Sequence, residues 1–133
     1  MSNTPYKQVL VLRKDLNMRK GKMVSQGSHA CLGALLKDSI RHKTETGGEV
    51  TLVLDEGAWG WINDRFAKIT VSAKDLGELL ELEAKAKAAG LRTCLIEDAG
   101  FTEFKGVPTY TALSIGPDTV EKLDPITGHL PLL

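Results

Sequence analysis

Cysteine, aromatic residues and net charge are scarce in this sequence, and long apolar runs are absent from it. There are two cysteines among 133 residues, aromatic residues make up 5%, and 17 basic side chains are balanced by 17 acidic ones. Cys31 and Cys94 lack the spacing of a zinc site and are too few for a disulfide framework. No run approaches the roughly 18 apolar residues of a membrane-spanning helix. We therefore expect buried, reduced thiols, no metal, no cofactor and no membrane partner.

The length and apolar content of the chain fit one domain. With 133 residues and 42% apolar side chains, the sequence can build one packed core, and no repeat or Pro/Gly/Ser-rich linker divides it. The first seven residues lack the apolar core of a signal peptide. We expect a single domain over residues 1–133 and a cytoplasmic location.

The charges are distributed unevenly although they sum to zero. Up to Lys43 the chain has nine basic and two acidic residues, a net charge of +7, and the remainder carries −7. The densest basic clusters are Arg13-Lys14 and Arg19-Lys20-Gly21-Lys22. Such clusters bind phosphates in some proteins and are solvated surface loops in others, so charge alone favours neither interpretation.

The apolar pattern predicts alternating strands and helices. Strands are predicted at 9–12, 66–71, 92–96 and 110–115, the last of them ending at Gly116-Pro117. Helices are predicted from Lys22 into residues 37–43, within 52–64, from residue 72 or 73 to Ala89, and near Val120. Residues 44–49, which include two glycines, are predicted as a loop. This order predicts an α/β fold in which helices cover a mixed sheet.

One narrow face of the first predicted helix is polar. At about 100° per residue, Lys22, Gln26, His29 and Gly33 fall on one side, and Val24, Cys31, Ala34 and Leu35 are predicted on the opposite, apolar side. A second polar cluster, Asp98-Ala99-Gly100-Phe101-Thr102, follows the third predicted strand. A carboxylate, an ammonium, an amide, an imidazole and hydroxyls that converge in one fold indicate hydrolytic or acyl-transfer chemistry.

Four motifs follow one another along the chain. They are Arg13-x-Asp15-Leu16-x-Met18-x-Lys20-Gly21-Lys22-x-x-x-Gln26-x-x-His29-Ala30, Asp98-Ala99-Gly100-x-Thr102, Thr111-x-Leu113-x-Ile115-Gly116-Pro117 and Thr127-Gly128-His129-Leu130. Together they resemble the type 2 peptidyl-tRNA hydrolase family over essentially the whole chain. The resemblance implies an enzyme that cleaves the ester between a nascent peptide and the 3′ ribose of tRNA, and so frees the tRNA for reuse. It also implies a homodimer built from single-domain α/β/α sandwiches with a mixed, mainly four-stranded sheet.

With this resemblance, the candidate catalytic residues are Lys22, Asp98, Thr102 and Thr111. Asp98 would act as the base or orient the water, and Lys22 would stabilise the oxyanion or a phosphate from the start of the helix. The threonines would donate hydrogen bonds to the substrate or to Asp98. Thr109 competes with Thr111 for the second threonine position, and the Thr-x-Leu-x-Ile-Gly-Pro register favours Thr111.

Further residues are expected to support the site or to bind the substrate. Gln26 hydrogen-bonds either the substrate or a loop carbonyl, and His29 supports the site without being the base. The acceptor stem of peptidyl-tRNA would contact the basic residues Arg13, Lys14, Arg19 and Lys20.

Two function classes remain open from the sequence. The first is an esterase that acts on peptidyl-tRNA, and the second is a non-catalytic adaptor that keeps the fold and binds RNA or protein. A serine or cysteine nucleophile is not indicated, because Ser28 and His29 are adjacent and point about 100° apart, and Cys31 lies away from His29. The complete set of polar residues favours the enzyme.

Overall fold

A computed structural model of the chain describes residues 5–101 and 103–133. The strands in this part of the chain are β1 (Tyr6–Arg13), β2 (Ile40–Thr44), β3 (Gly47–Thr51), β4 (Lys68–Ala73), β5 (Thr93–Asp98) and β6 (Thr109–Thr119). The helices are α1 (Lys20–Leu36), α2 (Glu56–Ile62), α3 (Leu76–Ala88) and α4 (Val120–Thr127). The predicted α/β class is confirmed.

Four strands form one mixed sheet in the order β4-β1-β6-β5. β1 pairs in parallel with β4 and antiparallel with β6, and β5 pairs antiparallel with β6. Strands β1 and β5 therefore run in the same direction and end at the same edge of the sheet, where β6 begins. Arg13 ends β1 and Asp98 ends β5 at this edge.

Alternate side chains of β1 enter two cores on opposite faces of the sheet. Val9 and Val11 belong to the larger core, together with Leu79 of α3 and Leu123 of α4. On the other face, Leu10 and Leu12 pack in a smaller core that includes Ala30 of α1. Each fully buried aliphatic side chain contributes about 1.5–3 kcal/mol relative to an exposed one, so the alternation along β1 fixes the helices to both faces of the sheet.

Small residues let α1 approach the sheet closely. Its buried residues are Gln26, Gly27, Ala30, Ala34 and Leu35. At Gly33, a Cβ atom would lie 2.8 Å from the Sγ atom of Cys94 on β5. Gln26 is therefore part of the buried face. The prediction that Val24 belongs to an apolar face opposite Gln26 is wrong, because Val24 is 68% exposed while Gln26 is buried.

A β-hairpin replaces the predicted continuation of α1. The helix ends at Leu36, and the chain then forms β2 and β3, which pair antiparallel from Ile40–Thr51 to Thr44–Gly47. The prediction of helix within residues 37–43 is therefore wrong, and the predicted loop over 44–49 is reduced to a turn at residues 45 and 46. The side chains of the hairpin are largely exposed on both of its faces, so the alternating apolar pattern that reveals other strands is missing.

Several element ends also differ from the prediction. β6 continues through Gly116-Pro117 to Thr119, because β1 still provides a partner as far as Tyr6. β4 begins at Lys68, since Phe66 has a φ of 60°, which is unusual for a bulky residue in a strand. α3 begins at Leu76 and not at residue 72 or 73, because the side chain of Asp75 accepts a hydrogen bond from the backbone N–H of Glu78; such side-chain caps mark helix starts.

None of the helices in residues 5–101 and 103–133 combines the length and the apolar character needed to cross a membrane.

Candidate active site

The first turns of α1 and the end of β5 bring Lys22 and Asp98 together. The Nζ atom of Lys22 lies 2.9 Å from Oδ1 of Asp98. The pair is largely shielded from water, with 11% of the Lys22 side chain and 16% of the Asp98 side chain exposed. Two candidate catalytic residues that are 76 positions apart in the sequence therefore form one ion pair.

Gln26 and Thr111 lie behind this ion pair in a fully buried chain of hydrogen bonds. Thr111 Oγ1 donates to Gln26 Oε1, and Gln26 Nε2 donates to Asp98 Oδ1 over 3.3 Å. A hydroxyl that donates to the amide oxygen leaves the amide N–H groups to face the carboxylate. Thr111 thus acts on Asp98 only through Gln26. Thr109 makes a different contact, since its hydroxyl donates to the carbonyl of Val107.

The second oxygen of Asp98 is held by the backbone. The N–H of Gly100 donates to Asp98 Oδ2 over 2.8 Å. Gly100 has a φ of 88°, and a Cβ atom at this position would lie 2.3 Å from the carbonyl oxygen of Val107. The turn therefore requires glycine, which explains why Asp98-Ala99-Gly100 is the local sequence.

These contacts stabilise the ionised form of Asp98. The hydrogen bond from Lys22 lowers the pKa of the Asp98 carboxyl below its usual value, and the Gly100 N–H and Gln26 amide act in the same direction, whereas burial opposes them. A carboxylate with a lowered pKa is a weaker proton acceptor. These contacts therefore keep Asp98 ionised beside Lys22 and make its carboxylate a weak base.

Phe104 provides another contact to the Lys22 ammonium. The Nζ atom lies 5.5 Å from the centroid of the Phe104 ring, within the range of a cation–π interaction. The ring also packs against the smaller core beneath α1. Phe104 was not predicted as a site residue, because it lies in an irregular loop without apolar periodicity.

His29 lies at the opening of a cleft beside Asp98. The cleft has a volume of about 440 Å³ and is lined by Gln26, His29, Leu95, Ile96, Glu97, Asp98 and Ala99. His29 itself is exposed. Its side chain is therefore available to a ligand in the cleft and is not a core residue.

The four basic residues expected at the substrate differ in their surroundings. Arg13 contacts Asp15 through two hydrogen bonds of 3.1 and 2.7 Å, and it donates to the carbonyl of Tyr110. Arg19 pairs with Glu103 at 2.9 Å. The remaining two, Lys14 and Lys20, are exposed.

The fourth candidate catalytic residue, Thr102, lies outside the described residues. In the part of the chain that the structure describes, no group of three or more His, Cys, Asp or Glu side chains is arranged to hold a metal ion.

The two cysteines are half-buried and not bonded to each other. Burial raises the pKa of both thiols, and the Cys31 Sγ atom donates a hydrogen bond to Gln8 Oε1 over 3.0 Å. Since the thiolate is the reactive form, a raised pKa argues against a cysteine nucleophile.

Comparisons with known proteins match this chain along nearly its full length. The family described as "Peptidyl-tRNA hydrolase PTH2" matches residues 6–133. The chain belongs to the PTH2 family. It is 41% identical over 128 residues to the peptidyl-tRNA hydrolase of Methanopyrus kandleri, with 96% of this chain and 98% of that protein covered. It is 40% identical over 127 residues to the mitochondrial peptidyl-tRNA hydrolase 2 of Mus musculus, with 96% of this chain and 63% of that protein covered.

A solved structure has the same fold as this PTH2 chain. It is that of a protein of unknown function from Agrobacterium tumefaciens, with a TM-score of 0.57, 11% identity, and coverage of 96% of this chain and 97% of the other. At this identity the likeness concerns the fold alone. The family assignment agrees with the resemblance that the four sequence motifs indicate.

Proposed function

We propose that this chain is a peptidyl-tRNA hydrolase that cleaves the ester between a peptide, or an N-blocked amino acid, and the 3′ ribose of tRNA. The observation that carries the proposal is the shielded Lys22–Asp98 pair at 2.9 Å in a chain that belongs to the PTH2 family over residues 6–133. The reaction needs a positioned water molecule and a positive group near the carbonyl oxygen. In this proposal Asp98 positions the water and Lys22 supplies the positive group.

In the proposed mechanism, the water oxygen attacks the ester carbonyl carbon and the carbonyl oxygen becomes an oxyanion. Lys22 stabilises this negative charge, while Asp98 holds the ammonium in place and orients the water. The bond between the carbonyl carbon and the ribose oxygen then breaks, and a proton that comes from the water goes to the ribose oxygen. The products are tRNA with a free hydroxyl and a peptide carboxylate, with release of one proton.

Other candidate residues take separate parts in this proposal. Gln26 and Thr111 are positioning residues, because both are buried behind Asp98. Thr102 follows Gly100 by two positions and remains the candidate hydroxyl for contact with the substrate. His29, at the opening of the cleft, supports binding of the substrate.

The tRNA would approach along the basic residues before and at the start of α1. Lys14 and Lys20 are exposed and available to phosphates. Arg13 and Arg19 are paired with Asp15 and Glu103, and these carboxylates offset the positive charge that each arginine presents to a phosphate. We therefore expect the lysines to contribute more to tRNA affinity than the arginines.

A homodimer is also part of the proposal. Beside α1 lies an apolar groove of about 860 Å³, whose lining includes Leu10, Leu12, Met23, Leu32 and Phe66. Val24 and Leu32 expose more than half of their surface along the same helix. Both side chains line the groove. An exposed apolar surface of this kind suits a two-fold dimer, in which the same surface of each copy contacts the other. Since the substrate arises from translation, we place the enzyme in the cytoplasm.

One assay tests the proposed activity directly. The purified protein is incubated with an N-acetylated aminoacyl-tRNA and, separately, with the same aminoacyl-tRNA whose amino group is free. We expect release of the amino acid from the blocked substrate and much slower release from the free one. Binding of the blocked substrate without its hydrolysis would instead identify a non-catalytic adaptor.

A further inference from the structure

An exposed aromatic ring lies next to the candidate active site. Phe101 is 88% exposed, more than any other large apolar residue in the described part of the chain. The sequence has only three phenylalanines, and Phe104 in the same loop packs against Lys22 and the core. The loop therefore uses one phenylalanine to hold the site together and leaves the other in solvent.

The position of Phe101 relative to Asp98 follows from one hydrogen bond. The backbone nitrogen of Gly100 lies 2.8 Å from Asp98 Oδ2. Phe101 is the next residue, so standard covalent geometry places its Cα atom within about 8 Å of that carboxylate oxygen. The ring can thus contact a ligand whose reacting bond lies at Lys22 and Asp98.

The turn that carries Phe101 is closed by backbone hydrogen bonds. The carbonyl of Gly100 accepts from the N–H groups of Gly106 and Phe104, over 2.9 and 3.3 Å. The N–H of Val107 in turn donates to the carbonyl of Phe104 over 2.9 Å. The backbone at Gly100, directly before Phe101, is therefore fixed to the site, although the Phe101 side chain is in solvent.

We propose that Phe101 forms a subsite in which its ring stacks on the unpaired base of the 3′-terminal nucleotide of tRNA. This inference rests on the proposed function. The ester that is cleaved is attached to the ribose of that nucleotide, so its base must lie within one nucleotide of Lys22 and Asp98. Unpaired bases are commonly bound by stacking on aromatic side chains, and this mode of binding tolerates any base.

A double-mutant cycle tests this contact. Phe101→Ala and the wild type are each assayed with N-acetyl-aminoacyl-tRNA that carries either the normal terminal adenine or a terminal ribose without a base. Stacking on one base corresponds to a loss of about 5- to 150-fold in affinity. We expect Phe101→Ala to lower kcat/KM by a factor in this range on the normal substrate and to have little effect on the substrate without the base. Phe101→Trp should retain the activity of the wild type.

Trp59→Ala is the matched control. Trp59 is also an exposed aromatic residue, 63% exposed, but it lies on α2, which contacts Tyr6 and Asp118 at the other end of the sheet. This variant should behave as the wild type with both substrates. An equal loss for Phe101→Ala on both substrates, or no loss on either, would overturn the proposed stacking.

Separate measurements test the stacking by Phe101 and the proposed hydrolysis. If the wild type hydrolyses neither substrate, the proposed function is wrong. In that case the affinities of the same proteins for deacylated tRNA, with and without the terminal base, still measure the stacking. A base-dependent loss of affinity in Phe101→Ala supports the subsite, and its absence refutes it.

Discussion

Removal of the Lys22 ammonium should affect both catalysis and stability, and the two effects can be measured separately. We expect Lys22→Ala to lower kcat by about 10²-fold or more, comparable to the loss of one preorganised electrostatic donor. The free energy of unfolding should also fall, by about 1–3 kcal/mol, because Asp98 loses its charged partner in a shielded site. Single-turnover hydrolysis of N-acetyl-aminoacyl-tRNA and urea denaturation measure the two effects.

Lys22→Arg distinguishes between the two tasks of this cation. A guanidinium keeps the positive charge but is larger and forked, so it holds a phosphate more readily than it replaces a compact ammonium beside an oxyanion. We expect this variant to bind tRNA normally and to remain slow. Recovery of full turnover would assign Lys22 to tRNA binding, and an unchanged kcat in Lys22→Ala would remove it from the mechanism.

Asp98 gives a prediction about both catalysis and pH. Asp98→Asn keeps the shape of the side chain but loses its charge, so kcat should fall by about 10²-fold or more because Lys22 and the water are no longer held. The affinity for deacylated tRNA should stay within about two-fold of the wild type, since Asp98 is not one of the phosphate-binding residues. A variant with full activity would show that the carboxylate is not required.

The lowered pKa of Asp98 determines the pH range in which Asp98→Asn is less stable than the wild type. A carboxyl whose pKa is lower in the folded than in the unfolded chain stabilises the fold above its unfolded pKa, and this contribution is lost as the pH falls through the folded pKa. The usual pKa of this carboxyl is 3.8. Asp98→Asn should therefore be less stable than the wild type at pH 7, and the two unfolding free energies should converge as the pH falls below 3.8 and through the lowered pKa of the folded state. A constant difference across this range would contradict the assignment.

Among the elements, the β2–β3 hairpin is attached to the domain at both of its ends by Arg92, and Lys37 adds a hydrogen bond to the carbonyl of Thr93 on β5 over 2.9 Å. Arg92, just before β5, donates to the carbonyl of Ala34 over 2.9 Å and to that of Val53 over 3.3 Å. Asp38 and Asp55 each place a carboxylate oxygen 3.7 Å from its guanidinium. These partners lie before and after the hairpin in the chain, so one guanidinium fixes both of its ends.

Replacement of Arg92 should therefore loosen the hairpin more than the active site. We expect Arg92→Ala to reduce the free energy of unfolding by about 1–3 kcal/mol, because the part-buried carbonyl of Ala34 loses its donor, whereas the two exposed carboxylates lose only a weak ion pair. Amide hydrogen exchange should accelerate within residues 37–55, while kcat of the folded protein should change little.

Arg65→Ala is the control for Arg92→Ala. The Arg65 side chain is 74% exposed and lies 3.7 Å from Asp64, and exposed pairs of this kind contribute about 0–1 kcal/mol. Similar effects of the two substitutions on exchange in residues 37–55 would show that Arg92 does not anchor the hairpin.

The sequence predicted those elements in which buried apolar side chains recur at the spacing of a helix or a strand. α3 has leucines at helical spacing and ends near Gly90, which has a φ of 74°, and its predicted end is correct within one residue. The hairpin was missed because exposed strands carry no such pattern. Likewise, the motifs pointed to Lys22 and Asp98. The hydrogen bonds that connect Thr111 through Gln26 to Asp98 depend on how α1 packs on β6, which only the tertiary structure defines.

At the level of the whole molecule, the charge is asymmetric between the two faces of the sheet. The basic residues around the start of α1 lie on one face, and α3, whose three acidic residues are nearly balanced by two lysines, lies on the other. Lys85 and Lys87 of α3 are paired with Glu81 and Glu83. A polyanion such as tRNA should therefore bind at the start of α1 and not at α3.

The salt dependence of tRNA binding tests this asymmetry. Each phosphate contact that is lost reduces the slope of log K against log salt concentration by about 0.7–0.9. Lys14→Ala combined with Lys20→Ala should therefore lower the magnitude of the slope by about 1.4–1.8 and weaken binding at low salt. The matched variant Lys85→Ala with Lys87→Ala removes the same charge from the opposite face and should leave the slope unchanged. If both double variants shift the slope equally, tRNA responds to the net charge of the protein, and a defined binding face at the start of α1 is excluded.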